Sequence, residues 1–147
     1  MSIALQHISI QIPAIGILPI HVPLFCNKVS AGFPSPADDY IEGQLSLDEH
    51  LIQHKEATFF VRAKGSSMVG AGIFDGDILV VDKSLTPSSG SIVIAIVDGG
   101  MTVKFLSKCG QKVSLKSANP RYKDIEFIEG QELQVWGVVT SSVKKFV

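Results

Sequence analysis

The chain has 147 residues, 46% of them hydrophobic and 18% charged, with 13 Gly and 7 Pro. That composition fits one compact domain plus a tail and excludes a chain disordered throughout. Thirteen Lys and Arg against fourteen Asp and Glu leave a formal net charge of -1, so no strong positive field gathers phosphates and direct DNA binding by this chain alone is not expected.

Cys26 and Cys109 are the only cysteines. Two thiols so far apart suit a reduced, cytoplasmic protein better than a disulfide framework, although a bridge between them stays open. In chain order, the first feature is an apolar stretch over 8–25, followed by Val29-Ser30-Ala31, which has the small-residue pattern of a signal-peptidase site. No Lys or Arg precedes the stretch, and Pro13, Pro19 and Pro23 interrupt any helix across it. Gln11, His21 and the same prolines argue against a membrane span. Residues 1–31 are therefore expected to form an extended arm. The run Gly32-Phe33-Pro34-Ser35-Pro36-Ala37-Asp38-Asp39-Tyr40 reads as an accessible loop.

Ser46 and Glu49 have the spacing of a capping box before Leu51 and Ile52, which predicts a short helix over 47–54. Beyond it the period changes. Short β-branched or aromatic runs at 57–63, 78–82, 91–97, 101–106, 112–116 and 133–139 predict strands, so the body is expected to be mainly β. Asp75-Gly76-Asp77, Pro87-Ser88-Ser89-Gly90 and Asp98-Gly99-Gly100 supply turns, the last joining two strands as a hairpin and placing Lys104 on the returning strand. Alternation groups Thr102, Lys104 and Leu106 on one face and Val103 and Phe105 on the other.

Gly65-Ser66-Ser67-Met68-Val69-Gly70 follows a predicted strand and carries glycines at both ends, which permit a sharp turn and close backbone approach. Acyl transfer needs such an arrangement: a hydroxyl nucleophile with backbone N–H groups aimed at the developing oxyanion. Taken alone, the run reads more readily as a plain turn. The four histidines offer no companion motif for a Ser-His-Asp site, which makes lysine the other candidate base. A lysine serves only if burial disfavours its ammonium form. Lys104, within Met-Thr-Val-Lys-Phe-Leu, is best placed for that, whereas Lys83, Lys108, Lys112 and Lys116 sit beside polar or turn residues. A strand lysine more commonly keeps its head in water.

In this order, Gly65-Ser66-Ser67-Met68, Asp75-Gly76-Asp77 with the apolar strand after it, and Thr102-Val103-Lys104 resemble the serine-lysine autoprotease domain shared by LexA, phage repressors and UmuD. The resemblance implies a compact fold of short twisted sheets with one short helix behind an extended arm. It implies Ser67 as nucleophile, Lys104 as general base, and the backbone amides of Ser67 and Met68 as oxyanion donors. It also implies self-cleavage at an upstream Ala-Gly bond, here Ala31-Gly32; the other such pair, Ala71-Gly72, falls inside the expected active-site loop.

Thirty-one residues with three prolines cannot supply the helix-turn-helix domain of LexA and phage repressors, which favours the UmuD type. Gly32-Phe33-Pro34-Ser35-Pro36-Ala37, Asp39-Tyr40, Leu51-Ile52-Gln53-His54 and Ala57-Thr58-Phe59-Phe60-Val61 carry that likeness, which covers about 31–140. Ser66, where relatives often have Asp, and the long arm depart from it. The division implied is a removable arm, 1–31, and a peptidase-fold accessory subunit, 32–147. Expected partners are a second copy in a homodimer, the RecA nucleoprotein filament and a UmuC-type error-prone polymerase acting in the SOS response. No cofactor, metal or membrane is implied.

Two rival readings remain: a regulatory module that acts only by binding, and a signal-peptidase-like serine-lysine protease. His50 and His54 are four apart but lack a third ligand, and the zinc-protease motif places its glutamate between its histidines. Asp75, Asp77 and Asp82 lack calcium-loop spacing and read as turn-shaping residues. Trp136 and Gly137 read as core or dimer packing.

Overall fold

A computed structural model describes residues 18–26, 28–34, 40–127 and 131–147. Residues 1–17 of the arm and 35–39 of the following loop lie outside them. Two compact units divide the chain, Met1–Leu47 and Asp48–Val147.

In the first unit, β1 (Val22–Phe25) and β2 (Ile41–Leu45) form an antiparallel two-stranded sheet. Pro23 lies within β1, which a strand with a free edge tolerates because a missing N–H need not break a ladder. The chain between the two strands carries the Ala31–Gly32 bond, and residues 31–34 are exposed. The Gly32 N–H donates to Ser30 Oγ at 3.2 Å.

The second unit is mainly β, with β3 (Thr58–Arg62), β4 (Ile78–Asp82), β5 (Ile92–Val97), β6 (Gly100–Cys109), β7 (Lys112–Lys116), β8 (Ile125–Glu126) and β9 (Gln134–Val143). They form one seven-stranded sheet in the order β3-β4-β9-β5-β6-β7-β8, antiparallel at every pair. The helix is shorter than the capping pattern predicts. α1 spans Leu47–Leu51, and the last helical bond runs from Ile52 N to Asp48 O. The His54 carbonyl is instead taken by Ala57 N–H and the Thr58 hydroxyl, which turns the chain through a 3-10 segment, Lys55–Ala57, into β3.

Residues of β5 alternate between two buried clusters, one on each side of the strand. Val93 and Ala95 pack with Leu106, Leu115 and Val138. Ile94 packs with Ala63, Met68, Ile73, Leu79 and Val81. Strand β5 therefore reads as a near-continuous apolar run, as expected where both faces are covered. Strand β9 carries two irregularities, beside Trp136 and Thr140, where one extra residue enters its pairing with β5 and with β4. Gly137 is required between them, because a Cβ there would stand 2.5 Å from Val81 Cγ1.

The acidic residues shape turns. Asp77 accepts from Phe74 N–H and pairs with Lys144, and these contacts hold its carboxyl below the usual range. Asp82, 4% exposed, accepts from Ser84 Oγ–H and N–H and pairs with His54 Nδ1. The Ser84 hydroxyl first, then His54, lower its pKa to about 2. Cys26 and Cys109 are exposed free thiols.

Candidate active site

Strand β5 turns into β6 through Asp98 and Gly99, whose φ angles of 49° and 79° are both left-handed. That is the two-residue turn for which Asp-Gly is suited, and it fixes Val97 opposite Gly100 and hence Lys104 opposite Val93. The sequence at 98–100 thereby determines where the lysine stands. Lys104 is 7% exposed. Burial pushes its pKa below the ordinary lysine value.

Ser67 follows β3 on a loop whose first residue, Gly65, has φ 88°, open to glycine without strain. Its N–H donates to Asp75 Oδ1 at 2.8 Å, so the Asp75-Gly76-Asp77 turn is tied to the start of the serine loop. Met68 is 2% exposed and anchors the loop in the core. Lys104 Nζ lies 2.8 Å from Ser67 Oγ and 3.1 Å from the Val103 carbonyl. The two side chains singled out in the sequence, 37 positions apart, are thus in hydrogen-bond contact. Beside them lies a cleft of roughly 200 Å³ bordered by Ser67, Ala63, Val61, Ile94 and Val103, with room for small side chains.

Other residues at the site gave no signal in the sequence. Gly70 N–H donates to the Ala118 carbonyl at 2.8 Å, and Ala118 N–H donates back to the Ser67 carbonyl at 2.8 Å. Asn119 Nδ2 donates to the Ser66 carbonyl at 2.9 Å. Ser66 Oγ contacts the Tyr122 hydroxyl at 3.0 Å.

Ser67 and Lys104 together have the parts for nucleophilic catalysis: a hydroxyl, an amine whose neutral form is favoured by burial, and glycine-bounded backbone around them. His50 and His54 do not join this site; His54 is paired with Asp82. Among the described residues no helix is long and apolar enough to cross a membrane.

Comparison with known proteins shows the family of the chain. The family model described as Peptidase S24-like matches residues 23–140. The chain is 46% identical over 123 residues to Protein SamA of Salmonella typhimurium, covering 84% of this chain and 85% of that one. It is 42% identical over 126 residues to Protein MucA of Escherichia coli, covering 83% and 84%. A LexA repressor from Anaeromyxobacter is 31% identical over 140 residues, 90% of this chain and 60% of the repressor.

Proposed function

The chain belongs to the peptidase S24-like family, and from that premise we propose that it is a UmuD-type autoprotease that cuts its own Ala31–Gly32 bond. The observation that carries this reading is the 2.8 Å contact between Ser67 Oγ and a lysine Nζ that burial drives toward its neutral form. Neutral Lys104 accepts the Ser67 proton as Oγ attacks the Ala31 carbonyl carbon. The backbone N–H groups of Ser67 and Met68 hold the oxyanion. On collapse, the C–N bond breaks and the Lys104 ammonium returns its proton to the departing Gly32 amine. A water molecule then hydrolyses the ester, giving its proton to Lys104 and restoring Ser67. No metal or cofactor takes part.

The substrate belongs to the same chain or to a dimer mate, so its effective concentration is high and the docking equilibrium of residues around 31–32 scales the rate of the chemical step. Cleavage falls between β1 and β2 and leaves the released arm held by four ladder pairs. A two-stranded sheet is marginal in water, so the arm, residues 1–31, leaves once chain continuity is lost. The remaining 32–147 dimer then serves a UmuC-type polymerase in SOS translesion synthesis. The RecA filament acts on docking. Purified chain with RecA assembled on single-stranded DNA is expected to cleave faster than chain alone at neutral pH. Equal rates with and without filament would remove RecA from the account.

A further inference from the structure

The oxyanion donors proposed above belong to two consecutive peptide groups, Ser66–Ser67 and Ser67–Met68. A trans peptide is planar, so its C=O and N–H point in opposite directions, and holding the carbonyl aims the N–H. Both carbonyls are held by one distant segment. The Ser67 carbonyl accepts from Ala118 N–H at 2.8 Å. The Ser66 carbonyl accepts from Asn119 Nδ2 at 2.9 Å and, at a longer 3.4 Å, from Val69 N–H. Neither Ser67 N–H nor Met68 N–H has an acceptor among the described residues. Two aimed and unoccupied amides beside a nucleophile are what a developing negative charge requires.

We propose that Asn119 is a positioning residue for the oxyanion hole: its side-chain amide fixes the Ser66–Ser67 peptide plane and so directs the Ser67 N–H at the reacting carbonyl oxygen. Its orientation is set at both ends, because Oδ1 accepts from Arg121 N–H at 3.0 Å while Nδ2 faces a carbonyl. The inference rests on the serine-lysine reading and names a component of that same site. Asn119 touches neither Ser67 Oγ nor Lys104, so its effect passes through the backbone alone.

The test compares the full chain with Asn119→Ala and Asn119→Asp. The aspartate keeps size and the Arg121 contact but replaces the donor with an oxygen that repels the Ser66 carbonyl. Three quantities are followed: self-cleavage against pH, labelling of Ser67 by a fluorophosphonate, whose phosphonyl oxygen occupies the same hole, and the thermal midpoint. Both variants are expected to cleave and label about 10- to 100-fold more slowly, below the 10²–10³ that accompanies outright loss of an oxyanion donor. The pH of half-maximal rate stays unchanged because Lys104 is untouched. Parent-like rates in both Asn119 variants would overturn the positioning role alone. So would losses that track a lowered thermal midpoint in both. A parent chain that neither cleaves nor labels overturns the serine-lysine reading and this inference with it.

Discussion

Lys104→Met is expected to slow self-cleavage by about 10²- to 10⁴-fold, the range that positioned general bases contribute, without destabilising the fold. Methionine keeps the length and apolar stem of lysine while deleting the base in contact with Ser67 Oγ. The stability half of this expectation follows from burial. Lys104 is 7% exposed, and desolvation lowers its folded pKa below the 10.5 of a free lysine. Between the folded value and 10.5 the unfolded chain binds a proton that the folded chain does not, so parent stability rises with pH across that window. At neutral pH the parent carries the cost of that burial and the Met variant does not. Urea midpoints measured from neutral to alkaline pH should therefore rise for the parent and stay flatter for Lys104→Met. The parent cleavage rate should likewise climb with pH and level off below the ordinary lysine value. A plateau reached only above it would mean that burial does not tune the base.

Gly70→Ala is the second large effect, and here the obstacle is backbone. A Cβ at Gly70 would stand 2.5 Å from the Ala118 carbonyl oxygen and 3.3 Å from its carbon. No rotamer change relieves that contact, so the serine loop must separate from Ala118 and weaken the two hydrogen bonds that join them. Overpacking of this kind costs about 1–3 kcal/mol, which at this chain length lowers the thermal midpoint by roughly 3–10 °C. A displacement near 1 Å at a catalytic loop costs on the order of 10²-fold in rate, so self-cleavage should fall even at temperatures where the variant is folded. Gly43→Ala, with nothing within 4 Å of its added Cβ, is the matched control and should change the midpoint little. If Gly70→Ala melts and cleaves like the parent, the loop is not held by Ala118 in solution.

The parts of this molecule legible in its sequence are those written in local chemistry. Asp98-Gly99 encodes its own hairpin, and that hairpin sets the β5–β6 register in which Lys104 stands opposite Val93. The apolar runs of β4 and β5 declare strands because these segments are buried or half-buried throughout. The end of β9 does not: Ser141 and Ser142 are strand residues only because they pair with Val80 and Leu79 some sixty positions away. The two-residue β8 exists because Leu115 and Ser114 offer it an edge. Likewise β1 reads as an arm until β2 is placed against it. The helix was expected to reach 54 and stops at Leu51, since a capping pattern marks a start but not the competing bonds at the His54 carbonyl. At the site, Ser67 and Lys104 are legible through ordered motifs, whereas Ala118, through its backbone, and Asn119, through its side-chain amide, bond to the backbone of a serine loop some fifty positions earlier, a pairing that leaves no residue pattern.

The central claim is that Ser67 and Lys104 cut this chain between Ala31 and Gly32. Its most direct test is the mass spectrum and N-terminal sequence of purified chain after incubation at alkaline pH, beside Ser67→Ala treated identically. The account predicts a fragment beginning Gly32-Phe33-Pro34 from the parent and intact chain from the variant. An intact parent, equal cleavage of Ser67→Ala, or a fragment beginning elsewhere would contradict it.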